Sequence, residues 1–176
     1  MIAALSAAAG VGIFLATGPT WLLLPYAGFL LLTAAVGITD IDAMRIVDRL
    51  NLRGSAIAIV ILGVVAVLGG GFEDFLRSLG GGVAYFLGAH LLFIIGRGNG
   101  FGAGDVKLAP VLGVFTTYLG WVVLGRAVVA TAFIGGLLAV GALLFSEAKR
   151  DTELPYGPAM ILGAWLAIFL FGISAI

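Results

Sequence analysis

Apolar residues in this chain come in long unbroken runs, and the charges between them are few enough to serve as rulers. Residues 1 to 39 carry no charge at all. As one helix that run would be roughly 58 Å long, against a bilayer hydrocarbon core of about 30 Å. It must therefore fold back, and Gly18-Pro19-Thr20 is the natural break. Helices are predicted at 2–17 and 21–39. Further uncharged runs cover Gly54–Phe72, Ser78–Gly96, Leu108–Gly125, Ala127–Ser146 and Leu154–Ile176, each 18 to 23 residues long. Roughly 20 residues are needed to span a membrane. The pattern predicts an all-α, polytopic transmembrane bundle of seven helices in a single domain over 1–176, with 1–20 as an extra N-terminal helix before a six-helix core at 21–176.

Composition agrees with that pattern. The 176 residues are 62% hydrophobic and 10% charged, with a mean hydropathy of +1.22, whereas soluble domains carry about 25% charged residues. The first ten residues, MIAALSAAAG, lack the positive n-region of a cleaved signal peptide. Nine basic and nine acidic residues cancel, leaving no basic tract for nucleic acid. With no cysteine there are no disulfides, thiolate zinc sites or cysteine nucleophiles, and the single histidine, His90, makes a histidine-based metal site improbable. The sequence thus implies no metal and no cofactor. His90, inside an apolar span, reads as a hydrogen-bonded packing residue.

Charge also orients the bundle, because cytoplasmic loops collect Lys and Arg. Arg45, Arg49, Arg53, Arg97, Lys107, Lys149 and Arg150 fall on one face, and only Arg77 and Arg126 on the other. The reading is N-terminus in and C-terminus out, in the cytoplasmic membrane. Glu73, Asp74 and Arg77 read as a solvated cap in a short loop on the far face. Trp21, Trp121 and Trp165 read as interface anchors or packing residues. Glycines inside the spans, at Gly80-Gly81-Gly82, Gly88 and Gly135-Gly136, read as places where helices pack closely.

Against this background two acidic segments stand out. In Gly96–Leu112 (GRGNGFGAGDVKLAPVL), five glycines lead into Asp105, with Lys107 two residues on and an apolar run behind. An ionisable group at a membrane helix is a functional-site hypothesis by default. Gly102 and Gly104 remove side chains, which allows positive φ and close approach of another chain, such as an extended peptide. Lys107 either snorkels to the interface or lowers the pKa of a neighbouring carboxylate. No GKS/T follows, so the stretch is not a phosphate loop. The other segment holds Asp40, Asp42 and Asp48. Asp40 and Asp42, two apart on a helix, point to different sides. Asp40 continues directly from the apolar run and reads equally well as a site acid or an interfacial charge, while Asp42 and Asp48 sit among arginines and read as interfacial charges, Asp42 pairing with Arg45 or Arg49. Asp40 and Asp105 both fall at cytoplasmic helix ends. Two carboxylates held close share a proton, so that one activates water while the other protonates the carbonyl oxygen or leaving amine, as in aspartic proteases.

These residues resemble the prepilin and preflagellin peptidases, membrane aspartic proteases of the GxGD type, in their short, peptidase-only form. Gly102-Ala-Gly-Asp-Val-Lys-Leu108 is similar to that family's second catalytic motif. Asp40, with Ile46 six residues on and Asp48 eight on, resembles the first. Leu154-Pro-Tyr-Gly-Pro158 looks like the late proline-glycine-proline segment. The resemblance implies Asp40 and Asp105 as the catalytic acids and brings Tyr156 near them. It also implies removal of a short basic leader from pilin-like precursors at the cytoplasmic face, with those precursors and the lipid bilayer as partners. Val47 stands where the first motif usually has proline, which keeps Asp42 as a reserve candidate. The large relatives carry a cysteine-motif region associated with N-methylation, which this chain lacks, so peptidase activity alone is expected.

Two rival readings use the same acids differently. A proton-coupled transporter relaying through Asp40 and Asp105 would favour ionisable groups near the midplane of several helices, whereas this chain keeps its acids at helix ends. A non-catalytic pilus assembly factor has no need to retain both motif acids. The charge asymmetry predicts that reporters fused at Arg49, Gly100 and Lys149 all read cytoplasmic. A periplasmic signal from either of the first two would put the two acidic segments on opposite faces.

Overall fold

The structure is a computed structural model that describes residues 21–43, 48–96, 102–145 and 156–171. Among the described residues there are six helices and no strands. They are α1 (Leu23–Ala43), α2 (Asp48–Leu68), α3 (Phe72–Ile95), α4 (Ala103–Tyr118), α5 (Trp121–Phe145) and α6 (Gly157–Phe171). Three segments, Asn51–Leu68, Phe72–Ile95 and Trp121–Gly141, are long and apolar enough to cross a membrane. The all-α membrane bundle read from the sequence is the fold observed. The helix predicted over 2–17 lies outside the described residues.

The boundaries depart from the charge-free runs in a consistent direction. Helices α2, α3, α4 and α5 begin five or six residues before the predicted starts at 54, 78, 108 and 127. Charge marks where side chains seek water, not where backbone becomes helical. A first helical turn has unpaired N–H groups that favour acids, and it takes in Glu73 and Asp74 in α3 and Asp105 in α4. Arginine and lysine reach outward from within a helix on long apolar stems. The same rule hid a break in the predicted span 108–125. The chain leaves α4 at Tyr118, turns through Gly120 at φ 135°, and restarts at Trp121. A backbone angle in that region strongly favours glycine.

Helix α4 is the centre of the bundle. It packs against α2, α3, α5 and α6, and Asp105, Val106, Leu108, Ala109 and every residue from Val111 to Tyr118 are buried. A helix enclosed on all sides needs no polar face. Its 16 residues span roughly 24 Å, short of a hydrocarbon core of about 30 Å. Closest approach is to α3, backbone on backbone. A Cβ on Gly113 would fall 2.6 Å from the Gly81 carbonyl oxygen and 2.9 Å from Gly82 Cα, and one on Gly82 would fall 3.0 Å from the Pro110 carbonyl oxygen. Gly81 and Gly82 thus serve close packing as the sequence suggested, but Gly88 and Gly136 meet nothing within 4 Å.

An aromatic cluster ties α1 and α6 to α4. Phe29 stacks on Phe115 with centroids 4.2 Å apart, and Tyr26 meets Phe115 edge-on at 5.2 Å. The Tyr26 hydroxyl donates to the Phe115 carbonyl at 2.8 Å. Trp165 of α6 lies 5.1 Å from Phe29, and its Nε1 donates to Thr33 Oγ1 at 3.0 Å. Trp165 is therefore a packing residue, whereas Trp21 and Trp121 are exposed.

Two further expectations are corrected. Asp74 and Arg77 do not form a loop: they lie in the first turns of α3, paired at 2.8 Å. Arg77 also donates from Nη2 to the Tyr118 carbonyl at 2.8 Å and from Nε to the Thr117 carbonyl at 3.3 Å, satisfying the end of α4. His90 is on the exposed face of α3, stacked with Phe86 at 5.7 Å and Phe93 at 6.4 Å, because the buried face is taken by Ser78, Gly81, Gly82 and Ala89.

Since a side chain on Gly113 meets backbone that cannot swing aside, Gly113→Ala should destabilise the protein by roughly 1–3 kcal/mol. Gly88→Ala, into open space, should be neutral or stabilising by up to about 1 kcal/mol. Thermal unfolding of both variants in detergent measures the contrast.

Candidate functional site

Asp105 is the third residue of α4, and its side chain is only 5% exposed. The chain reaches it through Gly102, in extended backbone at φ −80° and ψ 155°. The Gly102 N–H donates to Asp105 Oδ2 at 2.9 Å, so the carboxylate folds back over the open end of its own helix. A negative group there is stabilised by the unpaired N–H groups of the first turn. Gly104 is the second residue of α4. Among the described residues positive φ occurs at Gly70 and Gly120 only, so neither Gly102 nor Gly104 uses the left-handed freedom the sequence suggested. Lys107 is exposed, one turn further along.

Contacts along the helices set which ends come together. Gly37 of α1 lies against Ile161 in the first turns of α6, and Thr33 bonds Trp165 one turn on. Helices α1 and α6 are therefore antiparallel, with the last turn of α1 beside the start of α6. Asp105 lies close enough to Tyr156, immediately before α6, for its charge to act on that phenol. The end of α1 and the start of α4 thus lie at the same end of the bundle, each on the side of the start of α6. The Phe29–Phe115 stack gives the level: Asp40 is eleven residues beyond Phe29 and Asp105 ten residues before Phe115. Both backbones sit about 15–17 Å from the stack along their helices.

Asp40 and Asp42 belong to the last turn of α1, and Asp48 opens α2. Their side chains lie outside the described ones, as do Ile46 and Val47 of the first motif and Leu154 and Pro155 of the last. Tyr156 is partly buried, the far end of its ring lying against Gly135 of α5, where a Cβ would displace it. Burial first, and the Asp105 charge second, raise its phenol above the usual tyrosine range.

Three residues at this end were missed by sequence reasoning. Tyr85 of α3 is partly buried against the core, within reach of Asp105, Tyr156 and Thr131. Thr131 of α5 is buried, and its hydroxyl has no completed hydrogen bond. Asn51 is fully buried in the first turn of α2, accepting from Ser55 Oγ at 3.2 Å. Inside apolar runs a lone tyrosine, threonine or asparagine gives no periodic signal, and only the bundle brings such residues together. No group of histidine or acidic side chains suited to a metal ion occurs among the described residues. An apolar groove lined by Val60, Gly63, Val64, Val67, Leu68 and Phe75 lies at the opposite end and has no part in this chemistry.

A family model described as the type IV leader peptidase family matches residues 26–143. The chain is 28% identical over 138 residues to a prepilin leader peptidase/N-methyltransferase of Stutzerimonas stutzeri and 28% to one of Pseudomonas aeruginosa. A third, of Pseudomonas putida, is 27% identical. Each alignment covers 76% of this chain and 45% of the relative, so the match spans less than half the length of these curated proteins. No solved structure matches.

A negative charge beside a phenol disfavours the phenolate. Removing it by Asp105→Asn should lower the Tyr156 pKa, which should still stay above 10 because burial is the larger cause. Tyrosinate difference spectra, with Tyr156→Phe as the reference, measure the shift.

Proposed function

The chain belongs to the type IV leader peptidase family, and from that premise we propose that it is a membrane aspartic endopeptidase. Its substrates are type IV pilin-like precursors, and it removes their short basic leader at the cytoplasmic face. The relatives' names also carry an N-methyltransferase activity, which is not proposed here because more than half of each relative lies outside the alignment. The observation that carries the reading is Asp105: a buried carboxylate over a helix start, at the bundle end where the last turn of α1, with Asp40, also arrives.

The chemistry follows from two acids with one proton between them. The ionised one takes a proton from water, and the resulting hydroxide adds to the scissile carbonyl carbon. The protonated one gives its proton to the carbonyl oxygen. Collapse of the tetrahedral species returns a proton to the departing amine. The Gly102 N–H keeps the Asp105 oxygen in place through these transfers. The exposed Gly102 and the slim Gly104 leave the start of α4 open to an extended peptide. Tyr156 forms the wall opposite. The start of α4 carries the exposed Gly102 and Lys107, which gives water and a membrane-borne substrate a common approach. The seven-to-two bias of positive charge supports a cytoplasmic position for this end.

Asp40→Asn and Asp105→Asn should each reduce leader removal by at least about 10³-fold without loss of membrane expression, while Asp42→Asn keeps substantial activity. Immunoblots of a co-expressed pilin-type precursor read the result. Activity in Asp40→Asn together with none in Asp42→Asn would move the first acid by two residues.

A further inference from the structure

Hydroxyls inside the spans bond back to their own helices. Thr33 donates to the Phe29 carbonyl at 2.9 Å, Ser78 to the Phe75 carbonyl at 2.7 Å and Thr116 to the Leu112 carbonyl at 2.7 Å. His90 does not. Its ring is exposed and stacked with Phe86 and Phe93, and among the described residues it has no hydrogen-bond or ion-pair partner. His90 stands five residues before Ile95, the last of the 24 residues of α3. The helix is roughly 36 Å long against a hydrocarbon core of about 30 Å, and His90 is about 7 Å in from its end. Because Cα–Cβ bonds tilt toward the helix N-terminus, the ring leans toward the middle of the bilayer, away from the nearer headgroups. Lipid tails offer it neither donor nor acceptor, so the imidazole needs a polar partner at its own depth.

The strip of α3 that carries His90 has a regular pattern. Leu76, Leu79, Val83, Phe86, His90 and Phe93 recur at alternating steps of three and four residues, and the first four of them are exposed. A repeat of 3.5 residues on average makes a straight seam for a second helix crossing at about 20°. A second copy of this chain meets both demands. Inserted under the same charge bias, it has the same orientation, and a two-fold axis along the membrane normal sets position 90 against position 90 at equal depth. Neutral imidazole has one donor and one acceptor nitrogen, so one ring can donate to the other. A single polar residue in such a seam also fixes its register. We propose that the protein forms a parallel dimer in the membrane through this strip of α3, with the two His90 side chains paired across the axis. The dimer goes beyond the peptidase reading and does not depend on it.

The chain has no cysteine, so a single introduced cysteine reports on its own position alone. Full-length protein in phosphatidylcholine vesicles, oxidised with copper phenanthroline, should give disulfide-linked dimers from Val83→Cys and Phe86→Cys. Ala84→Cys and Leu91→Cys, each one residue and about 100° off the seam, should give none. Energy transfer between labelled copies in the same vesicles measures dissociation. His90→Leu should raise the dissociation constant roughly three- to thirtyfold, the range for losing one interhelical hydrogen bond, and His90→Asn should recover most of that. Cross-linking from Ala84→Cys in place of Val83→Cys would put the contact on another strip and overturn this dimer. So would wild-type copies that show no energy transfer, or an unchanged dissociation constant in His90→Leu. Cross-links from Val83→Cys to a cysteine-bearing precursor instead of a second copy would assign the strip to substrate and overturn it too. Stabilisation by anionic lipid that depends on His90, without any dimer, would assign the imidazole to a headgroup with the same result.

Discussion

Burying one helix on all its sides is the constraint on which this bundle depends. Helix α4 has neighbours on α2, α3, α5 and α6, and such a helix can be enclosed only where its neighbours give up volume. Glycine supplies that volume at Gly81, Gly82 and Gly113, in a setting where dispersion and close fit, more than the hydrophobic effect, hold helices together. The ends of α4 are polar, and each is satisfied differently. The start is closed by its own Asp105 on the Gly102 N–H, and the finish by Arg77 from the neighbouring helix. Removing the first would open the acid's position, and removing the second would leave carbonyls exposed in the interior.

From the same constraint comes the character of the site. Because α4 is central, anything at its start is surrounded by the starts and ends of several other helices. Asp105 therefore lies near Tyr156, remote in sequence, at the end of the bundle to which α1 also runs. Asp105 and Tyr156 sit at helix starts, where polar backbone is available without breaking a span, while Tyr85 and Thr131 lie within their helices.

Much of this was legible in the chain. The glycine-flanked Asp105 and the acid that ends an apolar run at Asp40 announced themselves because a charge in such a sequence is rare. The helix order followed from the lengths of the uncharged runs. Helix boundaries did not, since a charged residue can sit inside a first turn, as Glu73, Asp74 and Asp105 do. The turn at Gly120 was hidden for a related reason: in a chain with 28 glycines, a glycine with positive φ, as at Gly70 and Gly120, has no mark of its own. Tyr85 and Thr131 were invisible because their meaning lies in a meeting of α3 with α5. His90, the residue most conspicuous by type, turned out to face outward in an aromatic column.

The Phe29–Phe115 stack has one more consequence, for how this chain can change over time. Helices α1 and α4 run in opposite directions from that fixed point, so the segments leading from it to Asp40 and to Asp105 behave as two arms of a gauge. One residue inserted into either arm would lift its acid by about 1.5 Å and swing it by about 100°. On the proposed pairing of Asp40 with Asp105, length changes within the arms are tolerable only as whole turns matched on both sides. The loops beyond them are free to grow or shrink. Relatives that differ widely in size are expected to agree in these two distances.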